Sequence, residues 1–225
     1  MTARLEILSK QIRDERSRKV IFVSHCILNE NTRYLGGAFR KGCVDEVVDS
    51  LQVMEVGIIQ MPCPERECWG GVLKKDIMKA YGSKDTFSYK IYNALFDLWI
   101  WNTKRKYRGL ANKVVEEIRD YKNSGFEVVG VIGIDGSPSC GVNQTLDMKT
   151  LLVKASEKAV SSLTREENNQ LVTESLTDGN GYFIQELQNG FKKWNLDIKF
   201  YAHSLSKEMK GEKFGLKIPQ TKPTL

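Results

Sequence analysis

The stretch "FEVVGVIGIDGSPSCGVNQT", residues 126–145, leads from an almost unbroken apolar run into a cluster of turn-forming residues around Cys140. The apolar run, residues 126–135, has the length and β-branched content of a strand covered on both faces, which is typical of parallel sheets. A buried strand alone has no need of the Gly-Ser-Pro-Ser-Cys-Gly turn that follows it. The pattern therefore predicts a parallel strand whose carboxyl end presents a functional thiol.

Two other apolar runs end in the same way. Residues 19–25, "KVIFVSH", lead to Cys26, and residues 55–62, "EVGIIQMP", lead to Cys63. A fourth run, residues 197–203, alternates as an edge strand does. Segments with helical spacing separate these runs, over residues 43–54, 108–125 and 181–195. This alternation predicts an α/β fold, a three-layer Rossmann-like sandwich with a mostly parallel sheet, in which the first strand lies between the second and the third.

Two long segments do not fit the alternation. Residues 74–107 are rich in aromatic side chains, and residues 143–180 follow the serine-cysteine turn. Ligands of open α/β sheets bind beyond the carboxyl ends of the strands, so both segments are interpreted as inserted helical lids or pocket walls. Aromatic residues filling a second small core fit the pattern equally well. We divide the chain into an N-terminal helical extension, 1–18, an α/β domain, 19–205, and a C-terminal tail, 206–225.

The amino-acid composition limits the kinds of binding partner that we expect for this protein. The 225 residues carry a net charge of +6, and 41% of them are hydrophobic, enough for one continuous core. The basic residues are spread along the chain, so no nucleic-acid partner is expected except as the source of a modified base. No apolar run approaches the roughly 18–20 residues of a membrane span, and the first residues are too charged for a signal peptide. We expect a cytoplasmic protein with no membrane partner, and the pattern sets no oligomeric state.

Three of the five cysteines share one predicted location. Carboxyl ends of neighbouring parallel strands lie roughly 4.8 Å apart, so Cys26, Cys63 and Cys140 should converge on one pocket. Structural zinc usually takes four ligands in Cys-x-x-Cys pairs, which this chain lacks. A cuboidal 4Fe-4S cluster accepts thiolates from distant loops, and three of them leave one iron open to a sulfur ligand.

The other two cysteines have less to connect them with that pocket. Cys43 opens a predicted helix, and we expect it to pack there. Cys68 lies five residues after Cys63, so it either reaches the open iron or is a plain loop thiol, and we favour the loop thiol.

Two polar residues accompany the predicted thiol site. Ser137 precedes Cys140 by three residues, and Glu65 follows Cys63 by two. A carboxyl group in a partly dry pocket serves as general acid or base, and a nearby hydroxyl relays a proton or orients water. A solvated loop carboxylate is an equally good interpretation of Glu65.

Three motifs in order, "VSHCILNENTRY", "MPCPE" followed by "GG", and "SPSCG", resemble the DUF523 family and its thiouracil desulfidase branch, over roughly residues 20–142. The resemblance implies a Rossmann-like domain that binds a 4Fe-4S cluster through three cysteines, which match Cys26, Cys63 and Cys140. It also implies an enzyme that removes sulfur, as sulfide and without redox chemistry, from a thiolated pyrimidine such as thiouracil or another small thioamide. The assisting serine matches Ser137, and we place the glutamate at Glu65.

The first motif also supplies candidates for the substrate pocket. These candidates are Asn29, Asn31, Arg33 and Tyr34, although Arg33 fits an ordinary surface ion pair equally well. The chain departs from the family where Arg66–Trp69 intervene before "GG", and this departure bears on the substrate more than on the cluster. Two other classes remain open: a sulfur or cluster carrier that does not turn over an organic substrate, and a zinc-stabilised binding module.

Overall fold

The computed structural model describes residues 4, 7–8, 11–12, 15–79, 84, 87–213, 215 and 218. Much of the extension predicted over residues 1–18, and the end of the tail predicted over residues 206–225, lie outside the described residues. Within the described part of the chain, no helix is both long and apolar enough to cross a membrane.

The elements follow one another as β1 (Lys19–Val23), α1 (His25–Leu28), a 3-10 turn (Glu30–Thr32), α2 (Asp45–Val53), β2 (Gly57–Gln60), α3 (Pro64–Cys68), α4 (Lys75–Met78), α5 (Phe87–Asn123), β3 (Glu127–Asp135), β4 (Gln144–Leu146), α6 (Met148–Ser156), a second 3-10 turn (Val160–Ser162), α7 (Arg165–Thr173), β5 (Leu176–Asp178), α8 (Tyr182–Lys193), β6 (Phe200–Ser204) and α9 (Leu205–Met209).

The main sheet has four parallel strands in the order β2-β1-β3-β6. The predicted position of β1 between β2 and β3 is confirmed, and so is the edge position of β6. In the register, Ile21 of β1 lies opposite Ile58 of β2 and Gly130 of β3. The segment 143–180 contains a feature that the sequence did not predict, a small antiparallel sheet in which β4 pairs with β5.

Hydrophobic clusters cover both faces of this sheet. Successive side chains of a strand point to opposite faces, so Phe22 joins one cluster and Ile21 the other. The Phe22 cluster lies beneath α5 and α8, and the Ile21 cluster lies beneath α1, α2 and α9. Burying a side chain such as Leu187 of α8 contributes about 1.5–3 kcal/mol. The three-layer α/β architecture is therefore confirmed.

Helix α5 differs most from the prediction. The sequence placed its start at residue 108, whereas the helix already begins at Phe87 and passes without a break through the supposed insertion. No proline interrupts this stretch, and buried Phe96, Ile100 and Tyr107 continue one helical face. The predicted end is close to the real one, because Gly125, at φ 82°, follows the helix in the left-handed conformation that stops it.

Two smaller boundaries also differ. Helix α2 begins at Asp45, so Cys43 precedes the helix and its Sγ lies 3.3 Å from Asp45 Oδ1. Helix α9 crosses the boundary that we placed between the domain and its tail, because Glu208 in this helix is buried and belongs to the folded domain.

Candidate active site

The three cysteines beyond the carboxyl ends of β1, β2 and β3 line one cavity. Cys26 lies in α1, Cys63 is the residue before α3, and Cys140 lies in the turn after β3. All three are free thiols, and Cys63 and Cys140 are buried. The structure thus brings together the thiols that the strand pattern placed at one edge of the sheet.

Local chemistry fixes Cys63. Its Sγ accepts the backbone N–H of Arg66 at 3.4 Å, so the thiol caps α3, and Pro64 supplies the preset φ of the first helical residue. After this helix, Gly70 and Gly71 adopt φ values of 91° and 84°. A Cβ on Gly70 would lie 2.8 Å from the Asp76 backbone nitrogen, so the turn requires glycine there.

The Cys140 loop is closed by Asp135 at the end of β3. One carboxylate oxygen of Asp135 accepts the backbone N–H groups of Val142 at 2.9 Å and Asn143 at 2.7 Å. Inside the loop, Ser137 Oγ accepts the N–H of Cys140 at 3.0 Å and that of Ser139 at 3.3 Å. These bonds hold the thiol in a single loop conformation.

The thiols are costly to ionise where they lie. Burial raises the pKa of Cys26 to about 12, although the Arg33 guanidinium opposes the shift. Burial, followed by the neighbouring Cys26, raises the pKa of Cys140 well above its usual range, and burial and Glu65 raise the pKa of Cys63. Burial therefore favours the protonated thiols, and a positive charge bound beside them would favour the thiolates.

Glu65 and two serines form a hydrogen-bonded group beside the thiols. Glu65 Oε1 accepts the hydroxyl of Ser139 at 2.8 Å and that of Ser137 at 3.2 Å, and the two serine oxygens lie 3.1 Å apart. Ser137 Oγ already accepts two backbone N–H groups, so its proton is left for donation. The sequence predicts Ser137 alone, because no periodicity fixes which way Ser139 points within a turn.

A buried lysine completes this group. The Lys74 side chain is 3% exposed, and its Nζ lies 3.5 Å from Glu65 Oε2. The same ammonium group donates to the backbone carbonyl of Thr32. Residue 74 follows the double-glycine turn, with φ at 51°. Nothing in "VLKK" distinguished this lysine from a solvated one, so its place in the site depends on the turn.

The pocket candidates of the first motif divide into two pairs. Arg33 and Tyr34 line the cavity, whereas Asn29 and Asn31 lie outside its wall. Asn29 Oδ1 accepts the backbone N–H of Asn31 at 3.1 Å and caps the 3-10 turn. Short amide side chains commonly bond to a backbone two residues on, and this local use withdraws both asparagines from the pocket.

Arg33 is buried and not part of a surface ion pair. Its guanidinium donates to both carboxylate oxygens of Glu208 and lies 3.4 Å from Glu30 Oε1. Arg40 contacts the same two carboxylates, and His203 Nε2 lies 2.7 Å from Glu208 Oε1. We call Glu30, Arg33, Arg40, His203 and Glu208 the buried ion network. It holds the first motif against α9.

Cys68 is not a loop thiol but the last residue of α3. It is half-buried against the core beneath α5 and does not line the cavity. Burial raises its pKa to about 11. Its packing gives it a structural place, whereas Cys43 has only the contact with Asp45.

Several buried polar atoms beside the cavity lack a hydrogen-bond partner within the described part of the chain. These are the Trp69 indole nitrogen, the Tyr107 hydroxyl and His25 Nδ1. Trp69 and His25 line the cavity, and Tyr107, outside its wall, stacks on Trp69. Leaving such a group unpaired costs about 1–3 kcal/mol, a cost that a bound hydrogen-bonding partner would remove.

The spacing of the ligating side chains does not suit a single ion. Among the described residues, no group of three or more His, Cys, Asp or Glu side chains is arranged to hold one metal ion. Cysteines of an iron-sulfur cluster bind different irons, so a cluster does not require ligands arranged around one ion.

A sheet whose strand ends gather free thiols, a carboxylate and two hydroxyls places the chain among open α/β proteins with a pocket at the switch of strand order, where such sheets bind ligands. The sequence profile of the 2-thiouracil desulfurase family matches residues 21–196. The chain belongs to this family.

Among curated proteins, the chain is similar to the uncharacterized protein MJ0003 of Methanocaldococcus jannaschii. The two are 27% identical over 127 residues, which are 56% of this chain and 70% of that protein. No solved structure matches the chain significantly.

Proposed function

We propose that the protein is a desulfidase that removes sulfur, as sulfide, from a thiolated pyrimidine such as thiouracil or from another small thioamide. The convergence of Cys26, Cys63 and Cys140 on one cavity, with Glu65 between two serines at its wall, carries this proposal. The family to which the chain belongs is described as 2-thiouracil desulfurase and supports it.

The donor set of the cavity suits a 4Fe-4S cluster. Three free thiols from three separate loops border one space, and unpaired N–H and O–H donors lie beside them. Cys26, Cys63 and Cys140 would hold the cluster, which when bound supplies a Lewis-acidic iron without a protein ligand as the position for the substrate's sulfur.

Glu65 is the base that takes a proton from the attacking water. The Ser137 and Ser139 hydroxyls fix one oxygen of its carboxylate, and Lys74 lies beside the other. The water oxygen forms the new bond to carbon, the carbon–sulfur bond breaks, and both water protons leave with the sulfur as hydrogen sulfide. No electron is transferred, so the reaction needs no reductant.

The remaining cavity wall favours a flat, uncharged substrate. Most of it is apolar, formed by Trp69, Ile77, Met78, Leu146, Met148 and Leu151. The cations at its edge are matched by carboxylates, Arg33 by Glu208 and Lys74 by Glu65. An uncharged thiolated heterocycle can therefore bind without displacing an ion pair.

Anaerobic reconstitution with iron and sulfide tests the proposal. We expect about four irons and four acid-labile sulfides per chain, followed by release of sulfide and formation of uracil from 2-thiouracil or 4-thiouracil. A loaded protein that releases no sulfide from either base or from a small thioamide would instead support a carrier. Stoichiometric zinc without labile sulfide would instead support a zinc-stabilised binding module without a cluster.

A further inference from the structure

Two buried aromatic side chains, Trp69 in the wall of the thiol cavity and Tyr107 stacked on Trp69, carry polar hydrogens without an acceptor among the described residues. Trp69 is 2% exposed and Tyr107 is 0% exposed, and neither the indole N–H nor the phenol has a hydrogen-bond partner within the described part of the chain. Trp69 lies in the inserted part of the second motif, and Tyr107 lies in the middle of α5. The two residues are distant in sequence, yet both lie at the same site.

Packing prevents either ring from turning away in search of an acceptor. The Trp69 and Tyr107 ring centroids are 6.5 Å apart and nearly stacked. The Trp99 ring also contacts Trp69, with a centroid distance of 5.5 Å. The Phe183 ring packs edge-on against Tyr107, with a centroid distance of 6.4 Å. A donor that is fixed in this way cannot reach an acceptor elsewhere, and the nearest open space is the cavity that Trp69 lines.

The charge of the surroundings identifies the acceptor. A phenol carries its proton at neutral pH, so Tyr107 is a donor. Indole is a donor only. The cavity that Trp69 lines is also lined by Cys26, Cys63 and Cys140. Sulfur that carries negative charge, as thiolate or inorganic sulfide, is the acceptor that suits two donors at this position.

We propose that Tyr107 and Trp69 donate hydrogen bonds to the sulfur atoms of the loaded site and thereby retain and tune it. This inference rests on the proposed function, because the acceptors are the sulfurs of a cluster bound to the three cysteines. Hydrogen bonds to cluster sulfurs draw charge away from them, which stabilises the reduced form and strengthens retention of the metal. Tyr107 and Trp69 are thus positioning residues.

Tyr107→Phe tests the inference, because it removes one oxygen and keeps the ring. In the metal-free protein the oxygen has no partner, so urea unfolding should show a free energy of unfolding no lower than in the wild type. In the reconstituted protein, we expect iron to be lost to a chelator about tenfold faster under anaerobic conditions. The midpoint potential of the cluster should shift to more negative values.

Tyr121→Phe is the matched control. Tyr121 lies about four turns further along the same helix, with its ring against Phe22 and Phe126, away from the cavity. The control should lose iron at the wild-type rate. Trp69→Phe provides a second variant, which should also release iron faster and lower the potential.

The outcomes separate the inference from the proposed function. Suppose that the wild type loads with iron and sulfide, and that Tyr107→Phe loses iron at the wild-type rate and has the wild-type midpoint potential. The proposed hydrogen bonds to sulfur are then absent, and the desulfidase proposal stands. If Tyr107→Phe lowers the stability of the metal-free protein as much as that of the loaded one, the hydroxyl is structural. If the wild type takes up no cluster, both proposals fail.

Discussion

Two buried polar regions meet at the first cysteine motif, and they differ in how completely the protein satisfies them. In the buried ion network, Arg33 and Arg40 each contact both Glu30 and Glu208, and His203 also contacts Glu208. In the thiol cavity, the thiols have raised pKa values, and Trp69, Tyr107 and His25 hold polar atoms without partners.

This difference separates structure from function. Charges that satisfy one another hold two parts of the chain in a fixed relation and leave nothing for a ligand to supply. Polar atoms that remain unsatisfied reduce the stability of the empty protein, and the free energy is recovered when a ligand binds. The substitutions in the following predictions test these features one at a time.

The largest effect should follow removal of a thiol from the cavity. Replacing Cys26, Cys63 or Cys140 by Ala removes one of three ligands, so we expect loss of most iron and a fall in sulfide release of ~100-fold or more. Iron and labile-sulfide analysis with a sulfide-release assay measures both. Cys43→Ala is the control and should leave both unchanged. A Cys140→Ala protein that still held four irons would remove that residue from the ligand set.

Much of this site could be predicted because three strands end in the same way. The apolar runs located β1, β2 and β3, and the parallel arrangement then fixed where Cys26, Cys63 and Cys140 meet. Periodicity did not show the length of α5, since its first half is aromatic-rich and partly exposed, with Trp101 61% exposed. A long helix with a mixed face has the composition of an inserted segment.

The residues that sequence analysis missed enter the cavity through tertiary structure. Lys74 lies beside Glu65 only because of the double-glycine turn, and Tyr107, in the middle of α5, stacks on Trp69 of the cavity wall. Conversely, Asn29 looked like a pocket residue, but its side chain is used by the local backbone. The spacing of residues along a strand or helix does not predict these tertiary and local contacts.

The second-largest effect concerns the buried ion network. Burial alone would raise the pKa of Glu208, but hydrogen bonds from His203 and Arg33 outweigh it and lower the pKa from 4.5 to about 2. At about 1.4 kcal/mol per pKa unit, the carboxylate contributes about 3 kcal/mol to stability. Glu208→Gln should therefore lower the free energy of unfolding at pH 7 by about this amount, measured by urea denaturation.

The pH dependence identifies the carboxylate as the cause. A lowered pKa means that the contribution of Glu208 is complete above pH 4.5 and is lost as the pH falls towards about 2. The difference between the wild type and Glu208→Gln should therefore shrink over this range. A difference that stayed constant down to pH 2 would show that the loss comes from packing and not from charge.

A smaller effect should follow removal of the serine hydroxyls. Ser137→Ala and Ser139→Ala each take one donor from Glu65 and remove no cysteine, and Ser139→Ala also keeps the Ser137 acceptor of the Cys140 N–H. We expect the brown colour of the loaded protein to persist and kcat to fall ~100-fold, with KM changed by less than about threefold. Absorbance and steady-state kinetics measure these quantities. If either variant turned over substrate at the wild-type rate, that serine would have no role in catalysis.

The smallest effect is expected at an exposed ion pair, which shows what burial adds to the network. Arg108 Nε lies 3.0 Å from Glu186 Oε2, and this pair joins α5 to α8 much as Arg33 joins the first motif to α9. The Arg108 side chain is 66% exposed, so water competes with the carboxylate and salt screens the pair. Arg108→Ala should leave the urea midpoint unchanged at low and high salt. If it destabilised the protein as much as Glu208→Gln does, the distance between charges, and not their burial, would explain the strength of the network.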